Sequence, residues 1–157
     1  MKPFVPADFT PPSGLDHPQF RLRPLGPDHN ESDYAAWTSS MEHIRATPGW
    51  GSQRWPYPKT PEENLADLVE HADDFARRAG FTYTVLAERE GSQTVIGCVY
   101  IYPSPGEEYD AMVRSWVRAA DAELDAALYR AVTDWLAREW PFQRVDYAAR
   151  PEPAEPS

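Results

Sequence analysis

A chain of 157 residues and 17.8 kDa, 41% hydrophobic and 13% aromatic, holds enough apolar surface for one core and suits one domain. Its formal charge of −10, with no basic stripe to offset it, repels a phosphate backbone and argues against nucleic-acid partners. The opening MKPFVPADFTPPSGLDHPQF has no apolar run of signal or membrane-spanning length, and a lone Cys98 cannot close an internal disulfide; the expectation is a cytosolic protein with no membrane partner.

Seventeen prolines cluster at the two ends and in loops. Residues 1–19 and 149–157 therefore read as loose arms around a domain over 20–148. Phe20–Leu25, FRLRPL, alternates apolar and basic residues before a Gly-Pro turn, as a half-buried strand does. Asn30 is placed to cap a helix with Tyr34, Trp37, Met41 and Ile44 on one face, stopped near Pro48-Gly49. Thr47–Thr60, TPGWGSQRWPYPKT, is too irregular for a regular element and reads as an aromatic loop of the kind that lines sites.

The next helix has the best-specified start. Thr60 supplies an N-cap, Pro61 the first helical position and Glu63 the return partner of a capping box. Leu65, Leu68, Val69, Ala72, Phe75, Ala76 and Ala79 suggest its apolar stripe, and Gly80 a left-handed stop. FTYTVLAE and TVIGCVYIYP, joined by REGSQ, have the texture of two buried strands in a hairpin, with Gly97 marking a bulge or a close backbone approach. AMVRSWV gives a third consecutive strand. A long helix follows, with Leu124, Leu128, Ala131, Val132, Trp135 and Leu136 on one stripe, and Pro141 divides it from a last strand, FQRVDY. A helix between neighbouring strands makes them parallel, so the order describes a mixed sheet in an α+β (layered α/β) fold.

This order, with VIGCVYIY in the hairpin and RSWV running into the long helix, resembles the GNAT acyltransferases over Phe20 to about Tyr147. The resemblance implies a sheet of about five strands with three main helices, and a cofactor, acetyl-CoA or another acyl-CoA, lying where the fourth strand (Ala111–Val117) and the fifth (Phe142–Tyr147) splay. Its pyrophosphate would rest on backbone amides at the start of the long helix, where the helix dipole attracts an anion. The implied cofactor-binding residues are Ser115, Trp116, Val117, Arg118, Ala119 and Ala122. The family's glycine-bearing turn is replaced here by RAADAELD, whose Asp121, Glu123 and Asp125 are placed to cap the helix themselves and to repel a phosphate. The family's last helix and strands have no counterpart before the proline-rich tail, so no residue inherits the proton donor of the leaving thiolate. An open sheet edge suggests a homodimer or a tail folded back.

Among single residues, His43 beside the aromatic loop is a candidate base for an amine, against a plain surface histidine. Trp50, Trp55 and Tyr57, with Arg54 and Lys59 nearby, either wall an acceptor pocket or pack the loop. The substrate-binding set is His43, Trp50, Trp55 and Tyr57. His71 reads as a boundary residue and Cys98 as a small core residue. The four histidines show no metal-ligand spacing, so no metal is expected. Two functions follow: an acyl-CoA-dependent N-acyltransferase acting on a small amine, with no catalytic residue assigned, or a lapsed relative serving as a binding or dimerisation module without CoA.

Overall fold

The computed structural model describes residues 3–151. Six strands form one sheet in sequence order: β1 (Leu15–His17), β2 (Phe20–Pro24), β3 (Phe81–Arg89), β4 (Ser92–Tyr102), β5 (Ala111–Val117) and β6 (Val145–Tyr147). The first five are antiparallel neighbours. β6, returning after a helix, lies parallel to β5. Four α-helices accompany the sheet, α1 (Asn30–Thr38), α2 (Met41–Ala46), α3 (Pro61–Ala76) and α4 (Asp125–Glu139), with short 3₁₀ turns at Pro27–His29 and Ala119–Leu124. The α+β class and the mixed sheet are as the sequence indicates; the count is six strands and four α-helices.

Period-two burial splits the sheet into two apolar faces. One gathers Ile96, Val99, Ile101, Val113 and Val117 with Leu128, Val132 and Trp135 of α4. The other gathers Val95, Cys98 and Trp116 with Trp37 of α1, Ile44 of α2, Trp50 and Leu68 of α3. Cys98 is fully buried there. The two faces share one bulge. Val85 pairs with Gly97 but Leu86 with Val95, so Ile96 is the extra residue. Gly97 is needed at that point because a Cβ would lie 2.3 Å from the Trp116 carbonyl oxygen.

Three local expectations change. The helix expected from Asn30 through Ile44 breaks into α1 and α2 at Ser39–Ser40, where the Ser39 hydroxyl bonds the Ala36 carbonyl, the local competition that ends helices. Thr60 and Glu63 do close the capping box, at 3.1 and 2.9 Å, worth about 1 kcal/mol. The stripe of α3 is rotated, however. Leu65 and Val69 are exposed at 39% and 47%, while Asn64 and Leu68 are buried. The left-handed residue after α3 is Arg78 (φ 63°), not Gly80, whose bare backbone instead lets the Tyr102 ring come close.

The ends differ as well. The segment expected as a loose arm carries β1, and Val5 sits in the core with Phe4 and Phe9 packed against it. Phe4 stacks on Phe81 and Phe142 at 5.9 and 5.2 Å between ring centroids, which gives this proline-broken stretch the apolar anchor its periodicity does not advertise. The last strand is three residues long rather than six. Of the expected C-terminal arm, Arg150 is buried, and residues 152–157 lie outside the described residues.

Candidate functional site

Two regions are candidates, one on each side of β5. The first is the gap between β5 and β6. β6 pairs with Ala111, Met112 and Val113 only, so Ser115–Val117 extend beyond their partner strand. That is the splay in which a cofactor would lie. It is filled by the chain itself. The Tyr147 hydroxyl meets Ser115 Oγ at 2.5 Å, and Arg150 Nη2 donates to the Ser115 carbonyl at 2.8 Å and to its Oγ at 3.2 Å. Arg150 Nε donates to Asp125 Oδ2 at 2.7 Å, tying the segment to the first residue of α4. Its guanidinium lies 5.8 and 5.7 Å from the ring centres of Tyr129 and Tyr147. Trp50 Nε1 donates to the same Ser115 carbonyl at 2.9 Å from the other side.

The turn before α4 is equally self-contained. The Arg118 amide donates to the Ile96 carbonyl, the Ala119 amide to Ser40 Oγ at 2.8 Å and the Asp121 amide to the Arg118 carbonyl. The acids do not cap the helix as expected. Neither Ala119–Leu124 nor α4 has a side-chain cap. Asp121 instead receives Arg118 Nε at 2.5 Å and Arg89 Nη2 at 2.8 Å. Burial pushes the Asp121 carboxyl up, but these two guanidiniums more than offset it and hold the group below its ordinary range. Arg118, the one cation expected to favour a phosphate, is thus neutralised. A pyrophosphate at this tip would face engaged amides, an ion-paired arginine and the carboxylate of Asp125. The residues present do not fit an acyl-CoA in this arrangement.

The second region is a cavity of about 300 Å³ on the opposite face, between α1, α3 and the Trp50–Trp55 loop. Its apolar wall includes Leu25, Leu68 and Met112 with the rings of Trp50, Trp55 and Tyr100, and Asp33, Gln53, Asn64, Asp67, His71 and the cationic Arg114 supply polarity. Trp50 and Trp55 lie 5.4 Å apart between centroids and tilted, and Trp50 meets Tyr100 edge-on at 5.5 Å. Asp33, 5% exposed, receives Asn64 Nδ2 at 3.1 Å. Burial pushes its carboxyl up to about 6, opposed by the Asn64 hydrogen bond and reinforced by Asp67. Asn64 is fixed by Trp37 Nε1, which donates to its Oδ1 at 3.0 Å. Asp67 pairs with Lys59 across the start of α3. Burial holds His71 below its ordinary range, against the acids Asp74, Asp67 and Glu70.

The expected residues are thus distributed unevenly. Trp50 and Trp55 line the cavity; His43 and Tyr57 do not. His43 lies on α2, where its carbonyl accepts the Thr47 hydroxyl, and Tyr57 is 37% exposed between Arg54 and Lys59. Ser115, Trp116 and Val117 are buried in β5, and the Trp116 indole donates to the Tyr100 hydroxyl at 3.0 Å. Ala119 and Ala122 are exposed on the turn. Asp33, Asn64 and His71 were not expected at a site. The available signal was an asparagine and a histidine seven residues apart on the side of α3 that Leu68 also occupies.

No family model matches the sequence, and no curated protein matches it. Solved structures do match. A putative ribosomal-protein-serine acetyltransferase from Vibrio cholerae superposes with a TM-score of 0.67 at 15% identity, over 92% of this chain and 78% of that one. A ribosomal-protein alanine acetyltransferase from Vibrio fischeri gives 0.63 at 15%, over 84% and 71%. The chain has the GNAT fold. The microcin self-immunity acetyltransferase MccE, solved with acetyl-CoA and AMP, gives 0.58 at 11%, over 81% and 66%. The closed gap and the open cavity flank the same strand, β5.

Proposed function

We propose that this chain is a small-molecule-binding protein on a GNAT scaffold, taking a small amine in the cavity between α1 and α3 and making no use of acyl-CoA. The observation that carries the reading is Arg150, buried across Ser115 and paired with Asp125 where a cofactor would enter. The cavity has the complementary chemistry: a buried carboxylate at Asp33 for a cation, and electron-rich faces of Trp50, Trp55 and Tyr100 against which a cationic amine is stabilised.

A ligand of the native state must raise its melting temperature, by about 2.7 kcal/mol of added stability at a hundredfold excess over Kd. Acetyl-CoA is expected to leave Tm unchanged, and a small aromatic amine to raise it. A rise with acetyl-CoA would instead support a second reading, an acyl-CoA-dependent N-acyltransferase acting on the same amine. The likeness to solved acetyltransferases favours that reading, and it requires Tyr147 and Arg150 to withdraw from Ser115.

A further inference from the structure

The hydrogen-bonding groups of the cavity are not evenly free. Trp50 Nε1 is committed to the Ser115 carbonyl, and Asn64 Nδ2 to Asn30 Oδ1 and Asp33 Oδ2. Arg114 Nη1 bonds the carbonyls of Val113 and Asp146, while its Nε is buried without a partner among the described residues. Asp33 Oδ1 likewise has no hydrogen-bond partner among the described residues, although the residue is 5% exposed.

His71 is the second group with an unused acceptor, and a chain behind it fixes which atom is free. Arg77 Nη2 donates to Asp74 Oδ1 at 2.6 Å, and a carboxylate in such a pair is an acceptor only. The Tyr102 hydroxyl therefore gives its proton to Asp74 Oδ2, at 2.9 Å. Its oxygen is left to accept, and the neighbour at 2.8 Å is His71 Nδ1. Nδ1 must carry the hydrogen, with Thr82 Oγ1 a second neighbour at 3.3 Å. A neutral imidazole so held keeps its lone pair on Nε2, which has no partner among the described residues.

We propose that the cavity is selective for a primary ammonium group, received by two acceptors, Asp33 Oδ1 and His71 Nε2, while its apolar body lies against the tryptophans. Tyr102 and Asp74 are positioning residues that fix the His71 tautomer. The inference rests on the amine reading above and narrows it: a quaternary cation satisfies charge and ring faces but offers no N–H to either acceptor.

Two probes with the same charge and ring separate the cases, 2-phenylethylamine and its N,N,N-trimethyl analogue. The wild type is expected to bind the primary amine about tenfold more tightly, the value of one hydrogen bond to a charged group. His71→Phe should narrow the difference, leaving the part carried by Asp33 Oδ1, and Tyr102→Phe should narrow it less. ¹⁵N NMR of the free wild type should show His71 as the Nδ1–H tautomer. An Nε2–H tautomer, or a preference left unchanged by His71→Phe, overturns the proposal, as does equal binding of both probes. If both probes bind equally the amine cavity stands and only the selectivity falls; if neither binds, both fall. The NMR result decides even where His71→Phe does not fold.

Discussion

β5 divides two regions with opposite states. On its β6 side the Ser115 carbonyl, a backbone acceptor at the mouth of a strand splay, takes donors from Arg150 and Trp50, and an ion pair seals the entrance. On its α3 side a buried carboxylate and a half-buried imidazole, both lining a cavity, each keep an unused acceptor. Unmet polar capacity in a buried place costs stability, so it persists where something else uses it. At the gap the Ser115 carbonyl is satisfied from within, whereas in the cavity Asp33 Oδ1 and His71 Nε2 are not. The same indole, that of Trp50, forms part of both walls, which couples the closure of one region to the shape of the other.

The strongest way to break this contrast is to unseal the gap. Arg150→Ala leaves Asp125 without its cation, and Asp125 Oδ1 is already buried without a partner. Removing one member of a buried pair costs about 3 kcal/mol. Urea unfolding should show that loss, and a change below about 1 kcal/mol, the range of a surface pair, would mean Arg150 does not close the gap.

The cavity side should respond with the opposite sign. The Asp33 carboxyl, raised from 3.8 to about 6 by burial, binds a proton more tightly when folded than when unfolded. Its contribution is therefore fully present below the unfolded value and is lost as pH rises through about 6. Asp33→Asn should match the wild type near the acid end and exceed it at neutral pH by about 3 kcal/mol, the order implied by a shift of this size. It should also abolish amine binding. Denaturant midpoints on both sides of that window check the stability, and calorimetry with 2-phenylethylamine checks the binding; a variant less stable at neutral pH would contradict the buried-charge account.

The smallest expected effect sharpens the division of labour at Ser115. Tyr147→Phe removes one hydroxyl contact but leaves Arg150 Nη2 on the Ser115 carbonyl and Oγ. A loss of about 1 kcal/mol, typical of one hydrogen bond, is expected by thermal melting, with acetyl-CoA still producing no shift. A shift appearing only in this variant would identify Tyr147, not Arg150, as the seal.

Local chemistry made part of the molecule legible. The Thr60–Glu63 box, the β3–β4 hairpin, the Gly97 bulge, the burial of Cys98 and the long α4 each follow from residues within a few positions of one another. Trp50 and Trp55 were identifiable as pocket candidates because loop aromatics need a reason to be there. His71 was hidden because α3 has small and apolar residues on more than one side, and the choice between the Leu65–Val69 face and the Asn64–Leu68 face depends on what α1 offers opposite. Asp33 was hidden for the same reason.

By itself, then, the sequence determined β2 to β5, α3, α4, the α+β class and the acidic, glycine-free character of the turn before α4, because these depend on dihedral preference and short-range period. Tertiary structure alone decided that a residue in the proline-rich tail closes the gap. Arg150 meets Ser115 from 35 positions away and the Pro48 carbonyl from 102, and contacts at such separations leave no periodic trace along the chain. It also decided that Asp33, Asn64 and His71, on α1 and α3, share one cavity, since which helix face is buried is fixed by the partner surface rather than by the helix.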